Sequence, residues 1–492
     1  MELQQWLSLQ NGSDIRGIAM GDDALLTKEV AGCIGKVFAR RVREMCGKES
    51  PIVAVGRDSR LTGEELAHAF ADGLSAGGCA PVLTGLSSTP SMFMTCIDPV
   101  APADSAVNVT GSHLPKERNG FKFFTPSGGV DSSFVKELLI EAAQTEPPPF
   151  GGVYGCKDYM PSYCAHLCRT IRSLTGQERP LDGLRILVDA SNGTAGFFVT
   201  GVLQPLGADT EGSMHLEPDG HFPGHDPNPE KEEALCALSS EVVARKAHLG
   251  IAFDPDADRT ALIDETGRAF NRNRLIALIA AVIAPESPGG IVVTDSVTST
   301  GLAHFLPTIG LQHLRFKRGY KNVIDEAVRL CNKGENAPLA IETSGHIALR
   351  ENHFLDDGAY AAVRLIAALV NCRAEGKSLF DLITRLKEPA EETERRIAFT
   401  TPDFKDAGAK LLDAMNAFAN EHPALTVEAE NHEGVRINVS LAPWSGWYLM
   451  RLSLHDPVLA INIESEQAGG IAQIWNLLYE FLQKHSDIID LN

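Results

Sequence analysis

A repeating order of short apolar runs, polar turns and longer periodic segments organises most of the chain. Each apolar run of about five residues leads into a turn rich in Gly, Asp or Asn, and a segment with helical spacing of apolar residues follows. This order of elements is typical of open α/β sheets. It is clearest where strands 51–55, 184–188 and 290–294 lead into the polar turns 56–60, 189–196 and 295–300.

The polar turns indicate where ligands bind. In open α/β sheets, ligands bind outside the carboxyl ends of the strands, where loop amides and helix N-termini favour anions. The sequence therefore predicts several phosphate-binding loops in one protein.

The pattern changes towards the end of the chain. Residues 434–440 and 446–464 alternate as antiparallel strands do, and a helix is predicted from Gln467 to about Lys484. Seams are predicted at the Pro- and Gly-rich run 145–155, after Gly267, and at the charged run 387–396. These seams predict four domains, at 1–150, 151–270, 271–388 and 389–492.

Composition narrows the class of protein. The 492 residues include 44 Lys and Arg against 64 Asp and Glu, a formal charge of −20 with no basic block, which disfavours nucleic acid as a partner. No run approaches about 20 apolar residues, and the polar N-terminus lacks a signal layout, so no membrane partner is expected. We expect a protein of the cytoplasm.

The ten cysteines lack metal-binding spacing and lie mostly in apolar or helix-like segments. This usage predicts reduced thiols in a reducing compartment. Cys164 and Cys168 are four residues apart on a predicted helix, but nothing nearby completes a ligand set, which favours core packing.

The sharpest chemical motif is Asp-Pro-Asp-Ala-Asp-Arg at 254–259, directly after the apolar strand 249–253. In an extended backbone, side chains at i, i+2 and i+4 share a face, so Asp254, Asp256 and Asp258 are predicted to converge. Three carboxylates so close repel one another unless a cation lies among them, and oxygen ligands suit Mg²⁺. An exposed acidic turn is the alternative.

A second motif is Thr-Gly-Ser-His-Leu-Pro at 110–115, followed by Asn-Gly-Phe-Lys at 119–122. A hydroxyl in a Gly-flanked turn, with His113 beside it and Lys122 further on, fits acyl or phosphoryl chemistry equally. On this motif alone, Ser112 as a turn former or helix cap stays open.

Together with other segments in the same order, these two motifs resemble the α-D-phosphohexomutase superfamily, the phosphomannomutases and phosphoglucomutases. The resemblance extends over nearly the whole chain. The further matching segments are 14–17, 56–60, 89–90, 189–193, 219–223 with 227–230, 319–321, 342–346 and 356–358.

The resemblance implies an α/β fold of four domains, three similar mixed α/β domains and a C-terminal α+β domain, around a central cleft. It also implies an intramolecular phosphotransferase that interconverts hexose 1-phosphate and hexose 6-phosphate, of mannose, glucose or both. Phosphoserine 112 would donate its phosphoryl group, and a hexose 1,6-bisphosphate would turn over in the cleft. A monomer or a homodimer is expected.

The same resemblance implies roles for individual residues. Ser112, Asp254, Asp256 and Asp258 would hold Mg²⁺, and Arg16 and Lys122 would flank the transferring group as acid/base or charge-stabilising residues. The implied catalytic residues are Ser112, Arg16, Lys122, His113 and Arg259. Glu342 and Ser344 would read sugar hydroxyls, and Arg451 and Ser453 would bind the distal phosphate. The implied substrate-binding residues are Glu342, Ser344, His346, Gly319, Tyr320, Lys321, Arg451, Ser453 and His455.

Phosphoryl transfer depends on charge neutralisation and in-line positioning, so a basic region is needed inside this acidic protein. Such a region is plausible because several cations lie in or beside the matching segments. These are Arg57, Arg60, Arg318, Lys321 and Arg451.

The match departs from the family at three places. Leu114 replaces the usual Asn, and Val297 stands where some members have Lys. Residues 451–457, Arg-Leu-Ser-Leu-His-Asp-Pro, replace an Arg-Pro-Ser-Gly-Thr-Glu-Pro type of phosphate loop. Without the Gly, the backbone of this loop can no longer approach the distal phosphate freely. His455, in place of Thr, is a bulkier and titratable donor.

Two alternatives to a mannose or glucose phosphate mutase stay open. One is a phosphoglucosamine-type mutase, since Thr343 matches neither residue familiar in the named subfamilies. The other is a catalytically degenerate homologue that binds phosphosugars, against which the intact Ser112 and the three aspartates argue.

Overall fold

The computed structural model describes residues 1–401, 403–453 and 457–491. The chain forms two compact units. The first comprises Met1–Ile283 with Pro338–Ile383, and the second comprises Ala284–Ala337 with Thr384–Asn492.

The first unit opens with an eight-stranded sheet whose middle strands pair in parallel. In sheet order its strands are Gln10–Asn11, Asp14–Ile18, Arg118–Thr125, Ser105–Val109, Ile52–Arg57, Ala80–Leu86 and Gly155–Cys156, with Gly128–Gly129 beside Arg118–Thr125. Its helices are Leu3–Leu7, Lys28–Cys46, Gly63–Ala76, Thr89–Cys96 and Ser132–Ala142. Apolar side chains of the strands and helices, such as Val55, Phe121 and Phe38, form one buried core.

Local sequence fixes the N-terminus of helix Thr89–Cys96, where Thr89 lies. The Ser88 hydroxyl accepts from the Ser91 N–H at 3.3 Å, which caps the helix, and Pro90 lies in the first turn. The cap fixes Thr89 at the beginning of the helix.

A four-stranded sheet follows, in the order Ala269–Phe270, Thr260–Asp264, Leu249–Phe253 and Ile186–Asp189. The last two strands are parallel, so their carboxyl ends lie at the same edge. The accompanying helices are Met160–Thr175, Glu232–Ala244 and Arg272–Ile283. The helix expected after 189–196 is a π-helix, Phe198–Leu203, followed by the 3₁₀ turn Gln204–Leu206.

The cysteines on helix Met160–Thr175 lie in packed surroundings. Cys164 and Cys168 are both buried, and the Cys168 thiol lies 3.4 Å from the carbonyl oxygen of Gly201 in the π-helix. All ten cysteines are free thiols.

The rest of the first unit is a small antiparallel arrangement of strands Leu339–Ile341, Ile347–Leu349 and Leu355–Asp356. Helix Gly358–Ala374 follows, capped by the Asp357 carboxylate, which accepts from the Tyr360 N–H at 2.8 Å. The 3₁₀ turns are Arg350–Asn352 and Phe380–Ile383.

The second unit contains the parallel strands Ile291–Thr294 and Gln312–Arg315 with helices Thr300–Thr308 and Tyr320–Asn332 and the 3₁₀ turn Ala284–Glu286. It also contains a five-stranded antiparallel sheet, in the order Glu391–Ala398, Val458–Ser465, Trp444–Leu452, Val435–Leu441 and Leu425–Val427. Helices Phe404–Glu421 and Gly470–Leu482 and the 3₁₀ turn Gln483–His485 accompany this sheet. Strands Val435–Leu441, Trp444–Leu452 and Val458–Ser465 lie where the alternating pattern predicts antiparallel strands. Leu425–Val427 and Glu391–Ala398 were not predicted, and the latter lies in the charged run expected to be a seam.

The fold class is mixed α/β with a C-terminal sheet-containing region, as predicted. The strand Gly155–Cys156 pairs with Ala80–Leu86 in the first sheet, although it lies beyond residue 150. The domain bounds remain predictions. Among the described residues, no helix has the length and apolar character needed to cross a bilayer.

Candidate active site

The serine loop follows strand Ser105–Val109, and Ser112 has the left-handed φ of 49°. Its N–H donates to the Thr110 hydroxyl at 2.8 Å, which stabilises this uncommon conformation. The Ser112 hydroxyl lies 3.1 Å from Asp254 Oδ2 and 3.4 Å from His113 Nδ1. The loop therefore presents the predicted nucleophile to the predicted metal ligands.

A buried arginine holds this loop from behind. The Arg60 guanidinium donates to four backbone carbonyls, those of Ser112 at 2.6 Å, Leu114 at 2.5 Å, Arg118 at 2.7 Å and Pro115 at 2.8 Å. These four hydrogen bonds position the serine loop. Because its side chain is fully buried, Arg60 is not part of an open basic region.

Asp58 completes this clamp. Its Oδ2 accepts from the Thr110 hydroxyl at 2.7 Å and lies 3.3 Å from Arg60 Nε. The Asp58 side chain thus pairs with Arg60, while Arg57 pairs with Glu64 at 3.1 Å. Gly111 is required here, since a Cβ would lie 2.5 Å from the Arg60 guanidinium carbon.

The three aspartates converge, but by a different backbone path from the one expected. Residues after strand Leu249–Phe253 form a turn, in which the Ala257 N–H donates to the Asp254 carbonyl at 3.1 Å and Ala257 has φ 59°. The extended alternation assumed from the sequence is therefore absent from this turn. Asp254, Asp256 and Asp258 are fully buried, with one ligand oxygen each within 4.8 Å of the others.

Neighbouring donors orient the aspartates without using all their oxygens. The Thr89 hydroxyl donates to Asp256 Oδ2 at 2.6 Å, and the Lys122 ammonium donates to Asp258 Oδ2 and lies 3.5 Å from Asp256 Oδ2. Asp256 Oδ1 and Asp258 Oδ1 are buried and accept no hydrogen bond within the part of the chain that the structure describes. Two such oxygens among three carboxylates suit a hard divalent cation.

Cations surround this acidic cluster. Arg16 donates to the Thr110 carbonyl and, at 2.9 Å, to Asp14 Oδ2. The Arg259 N–H donates to Asp254 Oδ1 at 3.2 Å, and Arg259 Nε lies 3.8 Å from Asp254 Oδ2. Together with Lys122, these two residues bring the predicted cations to the serine loop and the acidic turn.

The protonation of the aspartates reflects their burial. Burial raises the pKa of Asp254 well above its usual value, and the charges of Asp258 and Asp256 raise it further. Burial also acts to raise the pKa of Asp258, but the charges of Lys122 and His346 hold it below its usual value. A bound divalent cation would favour the ionised form of both carboxyls.

The loop after strand Leu339–Ile341 brings the predicted sugar-reading residues to the same cluster. The Ser344 hydroxyl donates to Glu342 Oε2 at 3.2 Å, and both side chains are buried. His346 Nδ1 lies 2.5 Å from Asp356 Oδ2 and 3.7 Å from Asp258 Oδ1. His346 also forms a backbone bridge with Arg259.

Burial shifts the pKa values of both His346 and Asp356. It lowers the pKa of His346 to about 4 and raises the pKa of Asp356 well above its usual value. Both shifts favour the neutral forms of the two side chains. Burial likewise lowers the pKa of His113 well below its usual value, which favours its neutral form.

The second unit places two predicted cations beside one carboxylate. Arg451, which is buried, has Nη2 3.9 Å from Glu394 Oε2, and Arg318 has Nη1 3.7 Å from the same atom. The Ser453 N–H donates to the Val458 carbonyl at 2.9 Å. His455, predicted in the same loop, lies outside the described residues.

The other predicted residues of the second unit lie at the start of helix Tyr320–Asn332. Gly319, with φ 116°, precedes the helix, and Lys321 pairs with Asp325. Val297, at the position where some family members have Lys, is buried with Trp447 and Leu449. Its environment therefore suits an apolar side chain.

The sequence did not show the contacts that four members of the site make. Thr89, Asp356, Asp58 and Arg60 lie in segments that resemble the family, and Arg60 was expected only as a cation of a basic region. No motif shows that these residues orient Asp256, His346 or the serine loop. Glu394 has no sequence signal at all.

Comparison with known proteins agrees with this geometry. Family models for the α/β/α domains I, II and III of phosphoglucomutase/phosphomannomutase match residues 8–148, 161–267 and 271–389. The phosphomannomutase/phosphoglucomutase of Pseudomonas aeruginosa is 29% identical over 470 residues, covering 95% of this chain and 94% of that protein. A probable phosphoglucosamine mutase of Methanopyrus kandleri is 30% identical over 417 residues, covering 84% and 86%.

A solved structure extends the likeness to three dimensions. A phosphoglucomutase/phosphomannomutase family protein from Burkholderia thailandensis superposes with a TM-score of 0.79 at 28% identity, covering 97% of each chain. The chain belongs to the phosphoglucomutase/phosphomannomutase family within the α-D-phosphohexomutase superfamily. It is a phosphohexomutase, an isomerase that acts as an intramolecular phosphotransferase.

Proposed function

We propose that this mutase interconverts hexose 1-phosphate and hexose 6-phosphate through a phosphoserine at Ser112 and a hexose 1,6-bisphosphate. The observation that carries the proposal is the 3.1 Å contact between the Ser112 hydroxyl and Asp254 Oδ2, inside a cluster of three buried carboxylates. A hydroxyl in this position can carry a phosphoryl group where a metal ion and cations neutralise its charge.

The transfer is a balanced exchange between two oxygens. A sugar hydroxyl forms a bond to phosphorus as the bond from phosphorus to Ser112 Oγ breaks, and the hydroxyl proton passes to a base. The bisphosphate then returns its other phosphoryl group to Ser112 Oγ. Arg16, Lys122 and Arg259 are proposed to stabilise the charge on the transferring group, with Arg16 and Lys122 also able to assist proton transfer.

The carboxylates of Asp254, Asp256 and Asp258, with an oxygen on Ser112, are proposed to hold Mg²⁺. The fit is supported by the buried oxygens Asp256 Oδ1 and Asp258 Oδ1, which accept no hydrogen bond among the described residues, and by an all-oxygen donor set. When bound, the ion supplies charge neutralisation at the phosphoryl oxygens.

Glu342 and Ser344 are proposed to bind sugar hydroxyls, with His346 beside them and His113 beside the serine. Glu342 offers carboxylate oxygens and Ser344 a hydroxyl, which together provide acceptors and a donor. The neutral His346 and Asp356 pair adds no net charge to the region that a neutral sugar ring would occupy.

Arg451 and Ser453 are proposed to bind the phosphate that is not being transferred, with Gly319, Tyr320 and Lys321 contributing from the second unit. A guanidinium matches a phosphate by two parallel hydrogen bonds. Arg318 joins this set because it shares Glu394 with Arg451. A role for His455 remains a prediction from the sequence.

Phosphates of glucose and mannose are the proposed substrates, since several relatives carry the names phosphomannomutase and phosphoglucomutase. Glucosamine phosphate is the second candidate, because a relative at 30% identity is named a probable phosphoglucosamine mutase. A panel of hexose 1-phosphates with a trace of bisphosphate distinguishes the two. A cytoplasmic location is proposed from the free cysteines, and the oligomeric state, monomer or homodimer, stays a prediction.

The test of the mechanism is Ser112→Ala. We expect the purified wild-type protein to contain a fraction about 80 Da heavier than the unmodified chain, the mass of one phosphoryl group on a hydroxyl. The variant should lack this fraction and nearly all turnover, because the covalent relay disappears. Full activity in Ser112→Ala would overturn the phosphoserine mechanism, and activity on no hexose phosphate in the wild type would overturn the substrate class.

A further inference from the structure

A second cluster of metal-ligating side chains lies at the end of strand Ile186–Asp189. The Asp189 carboxylate is fully buried and faces two histidines from the following loops. His215 Nδ1 lies 3.0 Å from Asp189 Oδ1, and His225 Nε2 lies 2.9 Å from Asp189 Oδ2. Neither histidine belongs to the proposed phosphoryl-transfer machinery.

The two imidazole rings are arranged so that one nitrogen of each points at the same carboxylate. Their centroids are 5.1 Å apart and their planes are inclined by 80°. An ion about 2.1 Å from each of two tetrahedral ligands needs them about 3.4 Å apart. The contacts of 3.0 and 2.9 Å would therefore lengthen by about 0.4 and about 0.5 Å to admit it.

The second nitrogen of His225 is already committed. His225 Nδ1 lies 2.8 Å from the Asp226 carbonyl oxygen, which can only accept, so the proton of a neutral ring belongs on Nδ1. The lone pair of Nε2 would then face the Asp189 carboxylate, a repulsive contact unless a second proton or a cation lies between them. A backbone carbonyl that fixes the outer nitrogen is the usual support of a metal-ligating histidine.

We propose that Asp189, His215 and His225 form a binding site for a divalent transition metal of the Zn²⁺ class, separate from the three-aspartate cluster. Two imidazole nitrogens with one carboxylate suit Zn²⁺ and are poor ligands for Mg²⁺, whereas the aspartate cluster offers only oxygen. Three protein ligands leave a fourth position for water.

Both histidines are partly exposed to solvent, with 25% of the His215 side chain and 16% of the His225 side chain accessible. His225 lines a cavity of about 600 Å³ that is also lined by His113 and Leu114 of the serine loop. A bound ion would fix the loop that carries His225 to the end of strand Ile186–Asp189, and so stabilise one wall of the cavity beside Ser112.

The test measures metal content in the full-length protein. The chain is stripped with a chelator and reloaded with Zn²⁺ in a large excess of Mg²⁺, so that the aspartate cluster is occupied by Mg²⁺. Bound zinc is then counted by mass spectrometry in the wild type, His215→Gln, His225→Gln and His221→Gln. His221 is the matched control, because it lines the same cavity but is not one of the three side chains that converge in the Asp189 cluster.

We expect one zinc per chain in the wild type and in His221→Gln, with affinity at least about tenfold lower in His215→Gln and His225→Gln. Co²⁺ in place of Zn²⁺ should give the visible absorption of a tetrahedral nitrogen-containing site in the wild type and not in these two variants. Equal zinc content in all four proteins would overturn the proposal and leave His225 as a protonated partner of Asp189. If His225→Gln fails to fold, His215→Gln still decides the question, since it keeps the contact between His225 and Asp189.

Discussion

The Arg60 guanidinium donates a hydrogen bond of 2.6 Å to the backbone carbonyl of Ser112, the residue proposed to carry the phosphoryl group. The two residues are 52 positions apart in the chain. Arg60 is fully buried with Asp58 as its counterion, so the serine loop is held by an ion pair with no access to solvent. Breaking such a pair leaves an uncompensated charge in the interior.

We therefore expect Arg60→Ala to lower the free energy of unfolding by about 3–5 kcal/mol, the range for removing one partner of a buried ion pair. Denaturant unfolding followed by circular dichroism measures this change. Arg57→Ala is the control: Arg57 contacts the largely exposed Glu64, and losing an exposed pair costs less than about 1 kcal/mol. Equal losses in the two variants would show that Arg60 does not hold the loop.

Replacement of one aspartate should separate metal dependence from folding. Asp256→Asn keeps the side-chain volume and an oxygen for the Thr89 hydroxyl, but removes a negative charge from the proposed Mg²⁺ site. We expect turnover to fall on the order of 10²-fold or more, and the Mg²⁺ concentration for half-maximal activity to rise. A magnesium titration of activity measures both, and a chelator-treated wild type that keeps its rate would contradict a required ion.

The Asp357 carboxyl should make stability depend on pH in a predictable direction. Burial raises its pKa to about 6, although hydrogen bonds from Tyr163, Tyr360 and Asn352 act to lower it. The folded state therefore binds this proton more tightly than the unfolded state, in which the pKa is about 3.9. Its contribution to stability is present at low pH and is lost as pH rises from about 4 to 6, by at most on the order of 3 kcal/mol.

Comparison with Asp357→Asn isolates this effect. Other carboxyl groups titrate alike in both proteins, so their contribution to the free energy of unfolding cancels in the difference. The variant should gain stability relative to the wild type between pH 4 and pH 7. Parallel stability curves would mean that Asp357 stays ionised in the folded protein throughout this range.

Local sequence patterns predicted the strands and turns that carry the site residues. They predicted the contacts between those residues less well. Strand Leu249–Phe253 lies where its apolar run placed it, and the convergence of Asp254, Asp256 and Asp258 was correctly expected. The extended backbone predicted for these residues was wrong, because a turn with Ala257 at positive φ brings them together. Alternation along an extended backbone and a tight turn can bring the same residues together, and the sequence does not separate them.

Contacts between residues that are far apart in the chain could not be predicted from the sequence. Arg60 was expected in an open basic region, yet its partners are carbonyls of the serine loop, and a backbone carbonyl has no sequence signature. The contact of His346 with Asp356 depends on how strand Leu355–Asp356 pairs, and the contact of Asp189 with His225 joins residues 36 positions apart. Such pairs follow from the register of sheets and the course of loops, which periodicity does not determine.

The sugar loop should affect substrate binding without affecting the phosphoserine. Glu342 is buried and its Oε2 accepts from the Ser344 hydroxyl at 3.2 Å. Losing a charged hydrogen bond to a sugar hydroxyl costs about 1.5–3 kcal/mol, so Glu342→Ala should raise KM about 10- to 100-fold. Intact-mass analysis should still find Ser112 phosphorylated. Unchanged kinetics on every hexose phosphate would remove this loop from the site.

Glu394 should weaken phosphate binding in the wild type. Its Oε2 lies 3.7 Å from Arg318 and 3.9 Å from Arg451, so it competes with a phosphate for the two guanidinium groups. Burial acts to raise the pKa of Glu394, but the hydrogen bond from Asn462 and the charges of Arg318 and Arg451 hold it below its usual value, which keeps the carboxylate ionised. Since the carboxylate is partly exposed, the competition is worth no more than about 1 kcal/mol.

Glu394→Gln should therefore lower KM for a hexose 1-phosphate by up to about fivefold, whereas Arg451→Ala should raise it. Glu392→Gln is the matched control. Glu392 lies two residues earlier on the same strand, Glu391–Ala398, and its replacement by Gln removes the same charge. If Glu392→Gln lowers KM as much as Glu394→Gln does, the net charge of the second unit governs binding, and the contact of Glu394 with the arginines does not. An unchanged KM in Arg451→Ala would exclude this pair of arginines from the phosphate site, and with it the effect expected of Glu394.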